Sequence, residues 1–100
     1  MRKKKELVAL KSDKIDVLSV QISPETEKVL LEVYNSTKPK SISEIANIFN
    51  YKFNTAHFHV DELLNNKLLS IGNFLEGIDR PYYINENGRS YVQRVIYKRL

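Results

Sequence analysis

Hydrophobic and polar positions along the chain fall into blocks that predict short helices around one small hairpin. Ser23 before Pro24 is a start signal, because the hydroxyl can accept from an orphan backbone N–H and proline costs nothing at the first helical position. Val29, Leu30, Val33 and Tyr34 then form an apolar stripe, which predicts a helix over 24–35. Residues 35–39 (NSTKP) turn the chain. Ile42 stands alone as a very short strand or a staple, and Ser43 is placed to cap a second helix carrying Ile45, Ala46, Ile48 and Phe49. Asn50 ends it, since asparagine tolerates the left-handed conformation of helix ends.

The segment from Asn54 to Leu69 predicts a third helix. At 100° per residue Ala56, Val60, Leu63 and Leu64 share a narrow arc, with Phe53 and Lys67 on the same side. Asn54, Thr55, Phe58, Glu62 and Asn65 lie opposite, flanked by Asp61, and His57 sits nearer the core edge. Leu68, Leu69 and Ile71 predict a strand, Gly72–Asp79 a turn, and Arg80–Ile84 a returning strand with Pro81 at its start or edge. Residues 85–88 (NENG) break the hairpin, and Tyr91, Val92, Val95 and Ile96 restore a helical period. From Lys14 to Ile22 the spacing fits a strand slightly better than a helix. Residues 1–22 are thus a basic arm or short element, and 23–100 one domain.

Composition narrows the classes. At 100 residues, 42% hydrophobic and 28% charged, the chain has room for one modest core. The absence of cysteine excludes disulfide frameworks and thiol nucleophiles. After the basic start only Leu7–Leu10 form an apolar run, too short for a signal peptide, and no stretch reaches the length of a membrane span; a cytoplasmic location is expected. No glycine-rich phosphate loop, nucleophile elbow or metal triad is present, so neither an enzyme nor a cofactor is expected.

The residues from Ser43 to Leu69 carry a more specific likeness. Glu44-Ile45-Ala46, Phe49, Asn50, the Thr55-Ala56 and His59-Val60 pairs, and Leu63, Leu68 and Leu69 resemble the helix-turn-helix of the ArsR and MarR groups of bacterial transcription regulators. Tyr82-Tyr83-Ile84 followed by Asn85–Gly88 resembles the wing's return strand and its exit into the last helix. The resemblance spans about residues 22–97 and implies an α+β, mainly helical winged helix-turn-helix with a two- to three-stranded wing sheet. It implies a sequence-specific regulator that binds double-stranded DNA with its third helix in the major groove and its wing on the backbone. On that reading Asn54, Thr55, His57, Phe58 and Asp61 face DNA, and Lys40, Lys52 and Arg80 meet phosphates. Asparagine pairs with adenine, and threonine and phenylalanine touch the thymine methyl, which suits A·T-rich sequence. Half-site geometry implies a homodimer, with the N-terminal arm and the helix from Gly88 to Leu100 as the interface.

Charge qualifies this picture. The net +4 comes from the arm (six basic, three acidic, residues 1–22) and the C-terminal part (five basic, three acidic, residues 71–100); the middle holds five basic and six acidic residues. Residues 54–66 contain Asp61 and Glu62 and no lysine or arginine. Phosphate neutralisation supplies most non-specific affinity, so a helix without cations depends on its flanks. The alternative is an adaptor that holds a protein partner with the same helix and Phe58. His57 and His59, two apart, point in different directions and form no metal site by themselves; no further histidine completes the sensor sites some ArsR relatives carry. Packing or capping is their ordinary role. A solvated tail is the ordinary reading of residues 2–5 (RKKK), and Tyr34, Tyr83 and Tyr91 sit at core-like spacings.

Overall fold

The computed structural model describes residues 14–72 and 80–100, so the arm residues 1–13 and the wing turn 73–79 lie outside the described residues. Helix α1, Pro24–Asn35, starts where Ser23 Oγ accepts from the Thr26 N–H at 3.1 Å, with Pro24 in its first turn and Glu25 and Glu27 at the positive end of the dipole. Helix α2, Ile42–Phe49, is capped by Ser41 and not by Ser43. Ser41 Oγ accepts from the Glu44 N–H at 3.1 Å, and Glu44 Oε1 accepts from the Ser41 N–H at 2.8 Å. This reciprocal box satisfies two orphan donors, so it outcompetes the later serine and makes Ile42 a buried helical residue. Asn50 closes α2 in the left-handed region at φ 58°.

Helix α3, Phe53–Asn65, ends in a Schellman arrangement. The Lys67 N–H donates to Leu64 O and the Leu68 N–H to Leu63 O, both at 2.9 Å, with Lys67 itself at φ 63°. Strand β1, Leu69–Ile71, then pairs antiparallel with β2, Tyr82–Ile84, in the register Leu69 to Ile84 and Ile71 to Tyr82. Lys40 adds one bridge to Tyr82, with both backbone bonds made at 2.8–2.9 Å, so the expected third strand is a single residue. Helix α4 begins at Glu86–Tyr91, runs through a π turn at Val92–Ile96 and ends as Tyr97–Arg99.

Two local expectations need correction. Residues 14–22 form no strand. Asp16 accepts from the Leu18 N–H at 3.2 Å and caps a 3₁₀ turn at Val17–Ser19, a local solution that needs no partner strand and turns Val17 into the core. At the other end, residues 85–88 do not merely break the hairpin; Asn85 Oδ1 accepts from the Gly88 N–H at 2.9 Å and starts α4 there.

One core joins these elements, built on Val29, Leu30, Ile45, Val60, Leu63 and Val92, all buried. Of the tyrosines, Tyr82 and Tyr91 are buried, Tyr34 is half-buried and Tyr83 is exposed. Tyr91 donates to Glu27 Oε2 at 2.6 Å, and Arg99 Nη1 donates to Glu27 Oε1 at 3.1 Å. Eight residues at about 100° each would leave Arg99 roughly 80° round the helix from Tyr91. The one-residue excess of the π turn removes most of that offset, which lets both side chains reach one carboxylate.

Burial, and then the Glu27 carboxylate, push the Tyr91 hydroxyl up to about 12. A folded-state value above that of the unfolded chain means the stabilisation is complete below about pH 10 and lost as pH rises from 10 through 12. Urea midpoints are therefore expected to fall more steeply between pH 9 and 11.5 in the wild type than in Tyr91→Phe. Equal slopes would refute the linkage.

Candidate nucleic-acid interface

Helix α3 has two unlike sides. Ala56, His59, Val60 and Leu63 are buried against α1 and α2, which fixes the direction in which the other side faces. Asn54, Thr55, His57 and Phe58 are exposed, and Asp61 is half-buried beside them. Phe58 is the extreme case at 62% exposure, a large apolar ring left in water. His57 Nδ1 lies 3.0 Å from Asp61 Oδ2 one turn further on. His57 is thus exposed, away from the core edge where its phase suggested, and His59 is the buried histidine. Phe53, expected with the core, is 50% exposed, its ring centroid 6.2 Å from that of His57. As the first residue of the helix it precedes the turn against which the core stripe packs.

Lys52 occupies the position before the helix, exposed, and its side chain makes no cap. Lys40 is held by its backbone against Tyr82, and Arg80 enters β2 two residues before the same tyrosine. The eight expected site residues therefore form two groups. Lys52, Asn54, Thr55, His57, Phe58 and Asp61 belong to α3 and its entry, while Lys40 and Arg80 belong to the base of the wing sheet.

Glu62 departs from the expected outer face. It is half-buried and turned to the start of α1, where Oε2 accepts from the Ser23 N–H at 3.3 Å and Oε1 from the Thr26 hydroxyl. A carboxylate at a helix N-terminus is stabilised by the dipole there. The consequence for the outward face is electrostatic: of the two acids on α3, only Asp61 remains on it, and His57 partners that one.

The residues behind the interface were less visible than those on it. Thr26 is fully buried, and its hydroxyl lies 2.8 Å from Nδ1 of His59, itself 8% exposed. The Tyr51 ring lies tilted against that of His59, with centroids 5.2 Å apart, and its hydroxyl donates to Glu25 Oε2 at 2.9 Å. Lys28, 3.1 Å away, and then Tyr51 hold the Glu25 carboxyl below its usual range. The helical phase carries the signal for this cluster, since Thr26 shares the stripe of Leu30 and Val33, and His59 that of Ala56 and Leu63.

Behind the last turn of α3, Asn85 and Asn87 both donate to the Lys67 carbonyl, at 3.2 and 3.1 Å. The start of α4 is thereby tied to the end of α3.

No family model and no curated protein matches the chain. Solved structures do. MepR of Staphylococcus aureus, in its complex with DNA, superposes with a TM-score of 0.68 at 15% identity, over 77% of this chain and 56% of MepR. RV1404 of Mycobacterium tuberculosis gives 0.71 at 18% identity, over 98% of this chain and 67% of that one. The DNA-binding TubR fragment of Clostridium botulinum gives 0.56 at 17% identity, over 75% and 99%. Several of the matching structures are MarR-family winged-helix regulators. At these identities the likeness is one of fold, and the fold is the winged helix-turn-helix. The chain spans little more than half the length of MepR.

Proposed function

We propose that the chain is a sequence-specific double-stranded DNA-binding regulator of transcription, with α3 in the major groove and the wing on the backbone. The observation that carries this reading is the outward face of α3. Asn54, Thr55, His57 and Phe58 stand exposed together on a helix whose other face is built into the core. A helix held in that way can enter the major groove without losing any packing. The likeness in fold to MepR, which has been solved as a DNA complex, supports DNA as the ligand.

Each residue then has a role. Asn54 pairs with adenine, Thr55 and Phe58 contact thymine methyls, and His57 with Asp61 offers polar atoms to neighbouring base edges. Lys52, Lys40 and Arg80 fix the register on phosphates. The domain acts as a homodimer on two half-sites, with the arm and α4 at the interface; Tyr97 and Leu100 supply exposed apolar surface at the end of α4. On this reading the chain works as a binding module and not as an enzyme, in the cytoplasm.

Salt tests the phosphate contacts. Three cations per protomer predict a slope of log affinity on log salt of about −3 for one protomer and about −5 for the dimer, measured by mobility shift on A·T-rich duplex. Failure to shift the duplex at low salt, together with capture of a protein partner that Phe58→Ala abolishes, would establish the adaptor in its place.

A further inference from the structure

The Thr26 hydroxyl oxygen has three polar neighbours: Ser23 Oγ at 2.9 Å, His59 Nδ1 at 2.8 Å and Glu62 Oε1 at 2.5 Å. The residue is fully buried, so water cannot substitute for any of them. A hydroxyl has one proton to give and two lone pairs to receive. Ser23 Oγ donates to one lone pair. The single proton goes to Glu62, because an ionised carboxylate only accepts. The remaining lone pair is left for His59, whose Nδ1 must therefore carry a proton.

We infer that His59 is held as the Nδ1–H tautomer by Thr26, and that Thr26, His59 and Glu62 together set the rotation of α3 against α1. The functional half of this inference rests on α3 being the DNA-reading helix. His59 and Glu62 are three residues apart and share one flank of α3, so both converge on the first turn of α1. Glu62 engages that turn a second time through the Ser23 N–H at 3.3 Å. Apolar packing sets which side of the helix faces outward but tolerates a small roll, since methyl and methylene contacts are non-directional. Directed hydrogen bonds at its flank narrow that roll. A roll of about 20° moves the outer side chains by roughly 2 Å at their ~5 Å distance from the axis, enough to break hydrogen bonds to bases. Phe58 feels this directly, since its ring meets that of His59 edge-on at 5.5 Å. All three are positioning residues: they act on DNA through the face they aim.

The test combines a spectroscopic readout with binding. In ¹⁵N-labelled protein at pH 8, long-range proton–nitrogen correlations are expected to show His59 protonated at Nδ1 and bare at Nε2. Thr26→Val, close in shape but without the hydroxyl, is expected to abolish that pattern and weaken A·T-rich duplex binding about tenfold, the worth of one or two hydrogen bonds. Thr26→Ser restores both. An Nε2–H tautomer in the wild type overturns the junction, and Thr26→Val binding as tightly as wild type overturns the positioning role. If Thr26→Val does not fold, the wild-type tautomer still decides the junction. Glu62→Gln then carries the binding test, with a severalfold loss expected and none contradicting the positioning role. A wild-type chain that ignores duplex DNA defeats the regulator reading and with it the positioning role, while the tautomer measurement still decides the junction.

Discussion

Gly88→Ala is expected to lower the stability of the domain by about 2 kcal/mol or more, the upper range of overpacking a well-filled site. A Cβ at this position would lie 2.2 Å from the Leu68 carbonyl oxygen and 2.6 Å from Ile84 Cγ1. The nearer atom belongs to backbone just after the Schellman turn of α3, so it cannot swing aside as a side-chain end can. Alanine in place of a helical glycine ordinarily gains up to about 1 kcal/mol of propensity, which is too little to offset such a clash. For a domain of this size the deficit corresponds to a fall in Tm of about 10 °C or more, read by thermal denaturation. A rise in Tm would mean that α4 and β1 are not packed as described. The effect reaches the interface, because a displaced α4 pulls Asn85 and Asn87 away from the Lys67 carbonyl that ends α3.

The second large effect concerns affinity. Replacing Asn54 and Phe58 together by alanine removes the proposed adenine partner and the most exposed aromatic ring of α3. A good base contact is worth ~1–3 kcal/mol, so duplex binding is expected to weaken by tenfold or more, with lost preference for A·T-rich sequence. Both side chains are exposed, so the same variant should unfold at nearly the wild-type temperature. A matching fall in Tm would assign the two residues to the fold and not to the ligand.

Much of this architecture is legible in the sequence because it is local. The Ser23-Pro24 start, the left-handed Asn50 and the Ala56, Val60, Leu63 stripe each depend on neighbours within a turn or two, and the helices follow from them. Where two local signals compete, sequence alone chooses poorly. Ser41 wins over Ser43 because Glu44 lies three residues after it, and Asp16 turns an ambiguous apolar stretch into a 3₁₀ turn. Tertiary pairings are less visible still. Glu62 reads as a solvent-facing acid by phase, yet the N-terminus of α1, 36–39 residues away in sequence, takes it inward. The same pairing takes one of the two carboxylates of α3 off the outward face and leaves Asp61 as the one acid there. The hairpin that carries Arg80 is legible from its spacing, but the bridge that places Lys40 against Tyr82 joins residues far apart in sequence, and no spacing along the chain encodes it.

The central claim is that the outward face of α3 reads duplex DNA while cations on its flanks hold the backbone. The salt dependence of binding to A·T-rich duplex, measured side by side for the wild type and the Asn54→Ala/Phe58→Ala variant, separates the two contributions. Two parallel lines of equal slope, displaced by tenfold or more, are the expected result, because the substitutions remove base contacts and leave every phosphate contact in place. Coincident lines would show that binding bypasses α3, and the central claim would fall.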